Sequence, residues 1–179
     1  MNKEINHLYI HIPFCKSICK YCDFVRNVPT CPIEMGEYVK KIINQIEKEC
    51  KNQKYETIYI GGGTPNFLSN KDLGLLLSSL SNKLKKKNEF TIECNPELIN
   101  LNQVKIMKKN RINRISLGVQ TLNEQLNKFL NRKHTNKDVC NAIEILRQND
   151  ITSISLDFIY GFSQMTFSDI DNIFSFIKK

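Results

Sequence analysis

The chain has 179 residues, 41% of them apolar, and a net charge of +8, a size that suits one domain burying its own core without disulfide or metal staples. No window holds 18 uninterrupted apolar residues, and the polar start MNKEIN leads straight into a strand-like run, which argues against a membrane span or a secretory leader and for a cytoplasmic protein. Seven cysteines in such a chain argue for reduced thiols rather than a disulfide framework, and positive charge carried mostly by Lys without interleaved aromatic residues argues against a nucleic-acid partner.

The first strand-length apolar run is LYIHI at 8–12, and it is followed by Cys15, Cys19 and Cys22 at C-x3-C-x2-C spacing. A loop of three thiolates suits a four-iron cluster and leaves one iron open for a further ligand. Zinc is the alternative; it takes four N or S ligands, and Cys31 or His11 could supply the fourth. Met35, Tyr38, Val39, Ile42, Ile43 and Ile46 then recur at spacings of three and four and predict a helix. The run TIYI at 57–60 predicts a second strand and opens into Gly61-Gly62-Gly63-Thr64-Pro65, where backbone without Cβ atoms can approach a ligand. It is not a phosphate loop, because no Lys-Ser/Thr follows at the required spacing.

A second helix is predicted from Leu73, Leu76, Leu77, Leu80 and Leu84, opened by Ser69 with Asp72 three residues on. Lys85, Lys86 and Lys87 are expected at its solvated C-terminal end. FTIEC at 90–94 predicts the third strand, followed by a helix that starts at Asn100 with Gln103 three residues later. RISLGV at 114–119 and a helix carrying Val139, Ala142, Ile143 and Leu146 come next. SISLDFIY at 153–160 and a helix carrying Ile170, Ile173, Phe174 and Ile177 complete the alternation.

Five strand-helix alternations predict an α/β fold with a parallel sheet and right-handed crossovers. Side-chain parity selects among such folds. Phe90, Ile92 and Cys94 share one face of their strand and Thr91 and Glu93 the other; Ile154, Leu156 and Phe158 likewise oppose Ser153, Ser155 and Asp157. A doubly wound sheet needs two apolar faces, whereas one polar face fits the wet lumen of a partial (β/α) barrel. About five units in one domain spanning 1–179 fall short of a closed barrel of ~250 residues. The polar and glycine-rich pieces gather where strands end, the rim at which parallel β/α folds bind ligands.

Tyr9-Ile-His-Ile-Pro-Phe-Cys15 with Cys19, Tyr21 and Cys22 resembles the radical S-adenosylmethionine (radical SAM) superfamily, and within it the oxygen-independent coproporphyrinogen oxidase and heme chaperone (HemW) group. The resemblance continues through Gly61–Pro65, Glu93-Cys94-Asn95-Pro96, Arg114–Gln120, Asn131-Arg132 and Asp157–Gly161. It implies that Cys15, Cys19 and Cys22 hold a [4Fe-4S] cluster whose open iron chelates S-adenosylmethionine (SAM), and that an electron passed through the cluster yields a 5′-deoxyadenosyl radical. It also implies that Tyr9 and Tyr21 flank cluster and cofactor, and that Gly62, Gly63 and Thr64 meet the methionine end of SAM. Glu93 is then expected on the ribose hydroxyls, and Gln120, Arg132 and Asp157 on SAM or a neighbouring ligand. Cys31, Cys50, Cys94 and Cys140 are read as ordinary thiols, with Cys94 in the core.

Within the group the oxidases carry a further cysteine two residues after the third ligand, where this chain reads Asp23-Phe24. The implied function is therefore a heme chaperone that binds SAM and heme and passes heme to an accepting protein, with a flavodoxin- or ferredoxin-type electron donor. The alternatives are porphyrinogen oxidation by the same radical, and a non-catalytic iron–sulfur or zinc-binding fragment. The resemblance covers the N-terminal portion of the family's length and departs from it at Gly161-Phe162-Ser163, where relatives read Gly-Leu-Pro. A heme-related region containing Trp has no counterpart, since the chain has no Trp. A core of this extent is expected to leave a sheet edge unpaired and apolar surface uncovered.

Overall fold

The computed structural model describes residues 5–178. The polar start at 1–4 and Lys179 lie outside the described residues. Five strands, β1 (His7–Ile12), β2 (Tyr55–Gly62), β3 (Leu84–Cys94), β4 (Arg114–Gln120) and β5 (Ser153–Phe158), alternate with helices α1 (Pro32–Glu49), α2 (Asn70–Ser81), α3 (Leu101–Lys109), α4 (Glu124–Phe129), α5 (Asn136–Gln148) and α6 (Phe167–Ile177). All neighbours pair in parallel, and the spatial order is the chain order, β1-β2-β3-β4-β5. A doubly wound sheet reverses its order at a switch point. Here the order never reverses, so successive crossovers of one hand stack the helices on one side, and α1 packs on α2, α2 on α3 and α3 on α5.

The core lies between that helix layer and the outward face of the sheet. Ile58, Ile60, Phe90, Ile92, Ile115 and Leu117 from the strands meet Val39, Leu73, Leu76, Leu77, Val104, Val139 and Leu146 from the helices, all fully buried. The opposite parity carries Tyr59, Glu93, Ser116, Gly118 and Asp157, which face a cavity. One face is apolar and the other polar, as the alternation predicts.

Helix starts follow local chemistry. Ser69 accepts from the Asp72 amide and Asn100 from the Gln103 amide, while Thr135 with Asp138 and Thr166 with Asp169 close reciprocal capping boxes.

The lysine run is a correction. Leu84 and Lys85–Lys87 do not extend α2; the helix stops at Ser81 and Leu84 opens β3. Tyr55 pairs with Leu84 and Thr57 with Glu89, so residues 85–88 bulge out of the ladder. Leu84 has helical spacing to Leu80, but its burial is satisfied by strand pairing to Tyr55, and Lys85 turns to Asn6 Oδ1 at 2.7 Å and Glu56 at 3.3 Å. The short helix α4 also has no counterpart among the predicted elements.

Among the described residues β5 pairs with β4 alone, and α6 contributes no buried residue. Phe167, Phe174 and Ile177 are exposed. No described helix is long and apolar enough to cross a membrane.

Candidate functional site

At the carboxyl ends of the strands lies a cavity of about 780 Å³. Three segments build its mouth. The first is the cysteine loop after β1. Phe14 forms an isolated parallel bridge with Asn27; Cys15 N–H donates to Asn27 O at 2.9 Å and Asn27 N–H to Pro13 O at 2.7 Å, so the loop leaves and returns along one line. Between these points Cys15 is buried, whereas Cys19 and Cys22 are half-exposed, and all three are free thiols lining the same cavity. Burial pushes the Cys15 thiol up; the Thr64 hydroxyl, 3.5 Å from its sulfur, opposes this, and the neighbouring Cys22 and Cys19 reinforce it.

The second segment follows β2. Gly62 has φ +117, a region that L side chains rarely adopt, and a Cβ on Gly63 would lie 2.8 Å from Cys15 Sγ and from Phe14 O. Glycine is thus required for conformation at 62 and for clearance at 63. The third is the end of β3. Glu93 accepts from Tyr59 Oη at 2.7 Å and from the Gly62 amide at 3.0 Å. A carboxylate accepts roughly four hydrogen bonds, so each oxygen keeps capacity for a ligand. Tyr59 is held protonated, first by burial and then by the Glu93 contact.

The later strands add the far wall. Ser116 donates to Asp157 Oδ2 at 2.6 Å. At Gly118–Gln120 the β4–β5 register slips, and Gln120 sits at φ 67; the bulge re-aims its side chain into the cavity. Helix α4 ends in a Schellman motif, with Asn131 N–H on Lys128 O and Arg132 N–H on Asn127 O. Asn131 takes the left-handed position at φ 61, and its amide donates to Ile18 O at 2.8 Å, tying the motif to the cysteine loop. Arg132 follows directly and enters the cavity. Tyr21 also lines it, its hydroxyl pushed up chiefly by burial, and its ring lies 6.2 Å from that of Phe162. The Phe at the Gly161-Phe162-Ser163 departure therefore covers the tyrosine.

Cys15, Cys19, Cys22, Tyr21, Gly62, Gly63, Thr64, Glu93, Gln120, Arg132 and Asp157 all line this one cavity. Tyr9 does not. It shares the polar parity and is exposed, its hydroxyl meeting His11 Nδ1 at 3.0 Å and its ring stacking on Tyr59 at 6.1 Å, beside the cavity lining rather than in it. Sequence reasoning missed Tyr59, Asn95, Ser116 and His134. Parity could have found Tyr59 and Ser116, which alternate with core residues on their strands; nothing local marks His134. Cys94 lies in the core as expected, its thiol pushed up by burial.

The zinc reading finds no support. Among the described residues no three His, Cys, Asp or Glu side chains converge as ligands of one ion would. Cys31 sits exposed at the start of α1, and both ring nitrogens of His11 are engaged, one by Tyr9 and the other by Val25 O at 2.8 Å. A cubane places each ligand sulfur on a different iron, so it needs separate thiols facing one hollow, which this loop supplies.

The profile of the radical SAM superfamily matches residues 9–177. This chain belongs to the radical SAM superfamily. Among curated relatives it is 38% identical to the heme chaperone HemW of Lactococcus lactis, over 93% of this chain and 44% of that protein. It is 37% identical to HemW of Bacillus subtilis, over 92% and 45%, and 32% identical to the oxygen-independent coproporphyrinogen III oxidase of Pseudomonas aeruginosa, over 89% and 36%. The chain thus spans under half the length of the relatives it matches. In three dimensions the radical SAM enzyme coproporphyrinogen III oxidase from Escherichia coli superposes with a TM-score of 0.87 at 24% identity, over 97% of this chain and 42% of that one, which establishes the shared fold. Membership of the superfamily implies a [4Fe-4S] cluster and SAM, and the three free thiols around a polar hollow, with Gly63 giving clearance beside Cys15, fit that pair of cofactors.

Proposed function

We propose that the chain is the cluster- and SAM-binding portion of a cytoplasmic heme chaperone. The observation that supports this reading most is the meeting of Cys15, Cys19 and Cys22 with Glu93, Gln120, Arg132 and Asp157 around one cavity. Cys15, Cys19 and Cys22 hold the cluster, and when bound, cluster and SAM together supply one-electron cleavage of a sulfonium C–S bond. Gly62, Gly63 and Thr64 line the cavity where the methionine end is held. Glu93, oriented by Tyr59 and the Gly62 amide, accepts from the ribose hydroxyls, and Asp157 is held by Ser116 for the same ligand or its neighbour. Tyr21 lines the cavity beside the cluster ligands, with Phe162 against its ring.

Two observations favour the chaperone over the oxidase. Phe24 lines the cavity at the position where the oxidases of the group carry a further cysteine, and the chaperone relatives in Lactococcus lactis and Bacillus subtilis are the more similar at 38% and 37% identity. Heme, a heme-accepting protein and a flavodoxin- or ferredoxin-type donor complete the proposal.

Anaerobic reconstitution tests it. Iron and sulfide in cluster stoichiometry are expected, with a low-temperature EPR signal that SAM perturbs, and Cys19→Ala should lose both. Hemin titration should give a saturable Soret shift. Decarboxylation of coproporphyrinogen with dithionite and SAM would instead identify the oxidase.

A further inference from the structure

Arg132 is more tightly held than a residue waiting for a ligand needs to be. Its Nη2 meets three acceptors: Asn95 Oδ1 at 3.1 Å, the Gly118 carbonyl, and His134 Nδ1 at 3.3 Å. Its Nη1 lies 3.8 Å from Cys19 Sγ. Arginine has no lone pair to offer, so His134 meets it as an acceptor when Nδ1 is bare and the ring neutral. Burial, and after it the Arg132 charge, hold this imidazole down to about 4.

Asn95 is fixed in its turn. The Asn66 side chain accepts from its main-chain N–H at 2.9 Å and donates to its carbonyl at 3.2 Å, while Gln103 from α3 donates to Asn66 O at 2.7 Å. Asn66 and Gln103 are both buried. A hydrogen-bonded amide relay therefore runs from the helix layer to the Arg132 guanidinium, whose Nη atoms are engaged while its buried Nε is not, and such networks rigidify their members.

We propose that Asn95 and His134 are positioning residues that hold the Arg132 guanidinium against the Cys19 sulfur, and that this contact raises the reduction potential of the cluster bound there. The inference rests on the reading that Cys15, Cys19 and Cys22 carry that cluster. One-electron reduction adds a negative charge to the cluster. A fixed cation with an N–H aimed at a ligand sulfur stabilises the reduced form more than the oxidised one, and hydrogen bonds to sulfur are among the factors that set such potentials.

The test is an EPR-monitored redox titration of the reconstituted chain without SAM, after iron and sulfide analysis. A wild-type chain that takes up no cluster overturns the underlying reading and the clamp with it; a full cluster with the results below overturns the clamp alone. Arg132→Gln is expected to lower the reduced-to-oxidised ratio at fixed potential about tenfold, or about 59 mV for a one-electron couple. Asn95→Ala should shift the midpoint the same way by less, and should add nothing in the Arg132→Gln background. An unchanged midpoint in fully loaded Arg132→Gln, or an Asn95→Ala shift of equal size in both backgrounds, overturns the proposal. If Arg132→Gln does not fold, Asn95→Ala decides alone, and an unchanged midpoint there overturns it.

Discussion

Glu93 shows how one side chain joins the sheet to the cavity. Its carboxylate is the shared acceptor of the Tyr59 hydroxyl and the Gly62 amide, so Glu93→Ala strands two donors at the cavity wall. The expected cost is about 1–3 kcal/mol, read as a lower urea midpoint, and Tyr59→Phe, which removes one of the donors, should cost less. His134 gives a pH dependence. It is buried beside Arg132, with Glu97 at 3.9 Å and Asp138 also acting on it. Its folded value of about 4 lies below the ordinary 6.5; between them the unfolded chain binds the proton and the folded chain does not, so stability rises with pH across this window. The contribution is complete above 6.5 and is lost as pH falls toward 4, amounting to up to about 3 kcal/mol. Urea midpoints of the wild type should fall over that range, and those of His134→Gln should fall less.

Among the elements, α4 and its Schellman turn matter most to the site. Asn131 sits at φ 61 and also donates to Ile18 O. Asn131→Val should cost about 1–2 kcal/mol from the left-handed backbone and should loosen the cysteine loop, giving faster hydrogen exchange at 15–22. Asn131→Gly should be milder in stability but should release the loop equally, because it keeps the conformation and loses the amide. The caps of α2 and α3 were readable because an N-cap is local: Ser69 and Asn100 each need only an amide three residues away. The lysine run was not readable, because Leu84 satisfies a helical spacing from Leu80 and only its pairing with Tyr55, far away in sequence, assigns it to β3. Helix α4 was hidden for another reason. Its six residues bury only Leu126 and Asn127, too little to make a period.

For the molecule as a whole, the open side of the sheet governs behaviour in solution. Tyr160 is 85% exposed and Phe167 88%, with Phe174 and Ile177 beside them on α6, and a patch of this kind drives association. The chain studied alone should show a light-scattering mass that grows with concentration. Phe167→Ser combined with Phe174→Ser should reduce that growth, and a concentration-independent monomer mass would contradict it.

By itself the sequence determined the partial barrel and the grouping of Cys15, Cys19 and Cys22 in one loop. Alternating parity, capping residues and cysteine spacing act over a few residues, so they survive without coordinates. Tertiary structure alone decided that Tyr9 stacks on Tyr59 beside the cavity lining, that Lys85–Lys87 bulge from a strand, and that Asn66, Asn95 and Gln103 form one relay to Arg132. These depend on partners tens of residues apart, whose meeting is set by strand register and by the burial each polar group must satisfy.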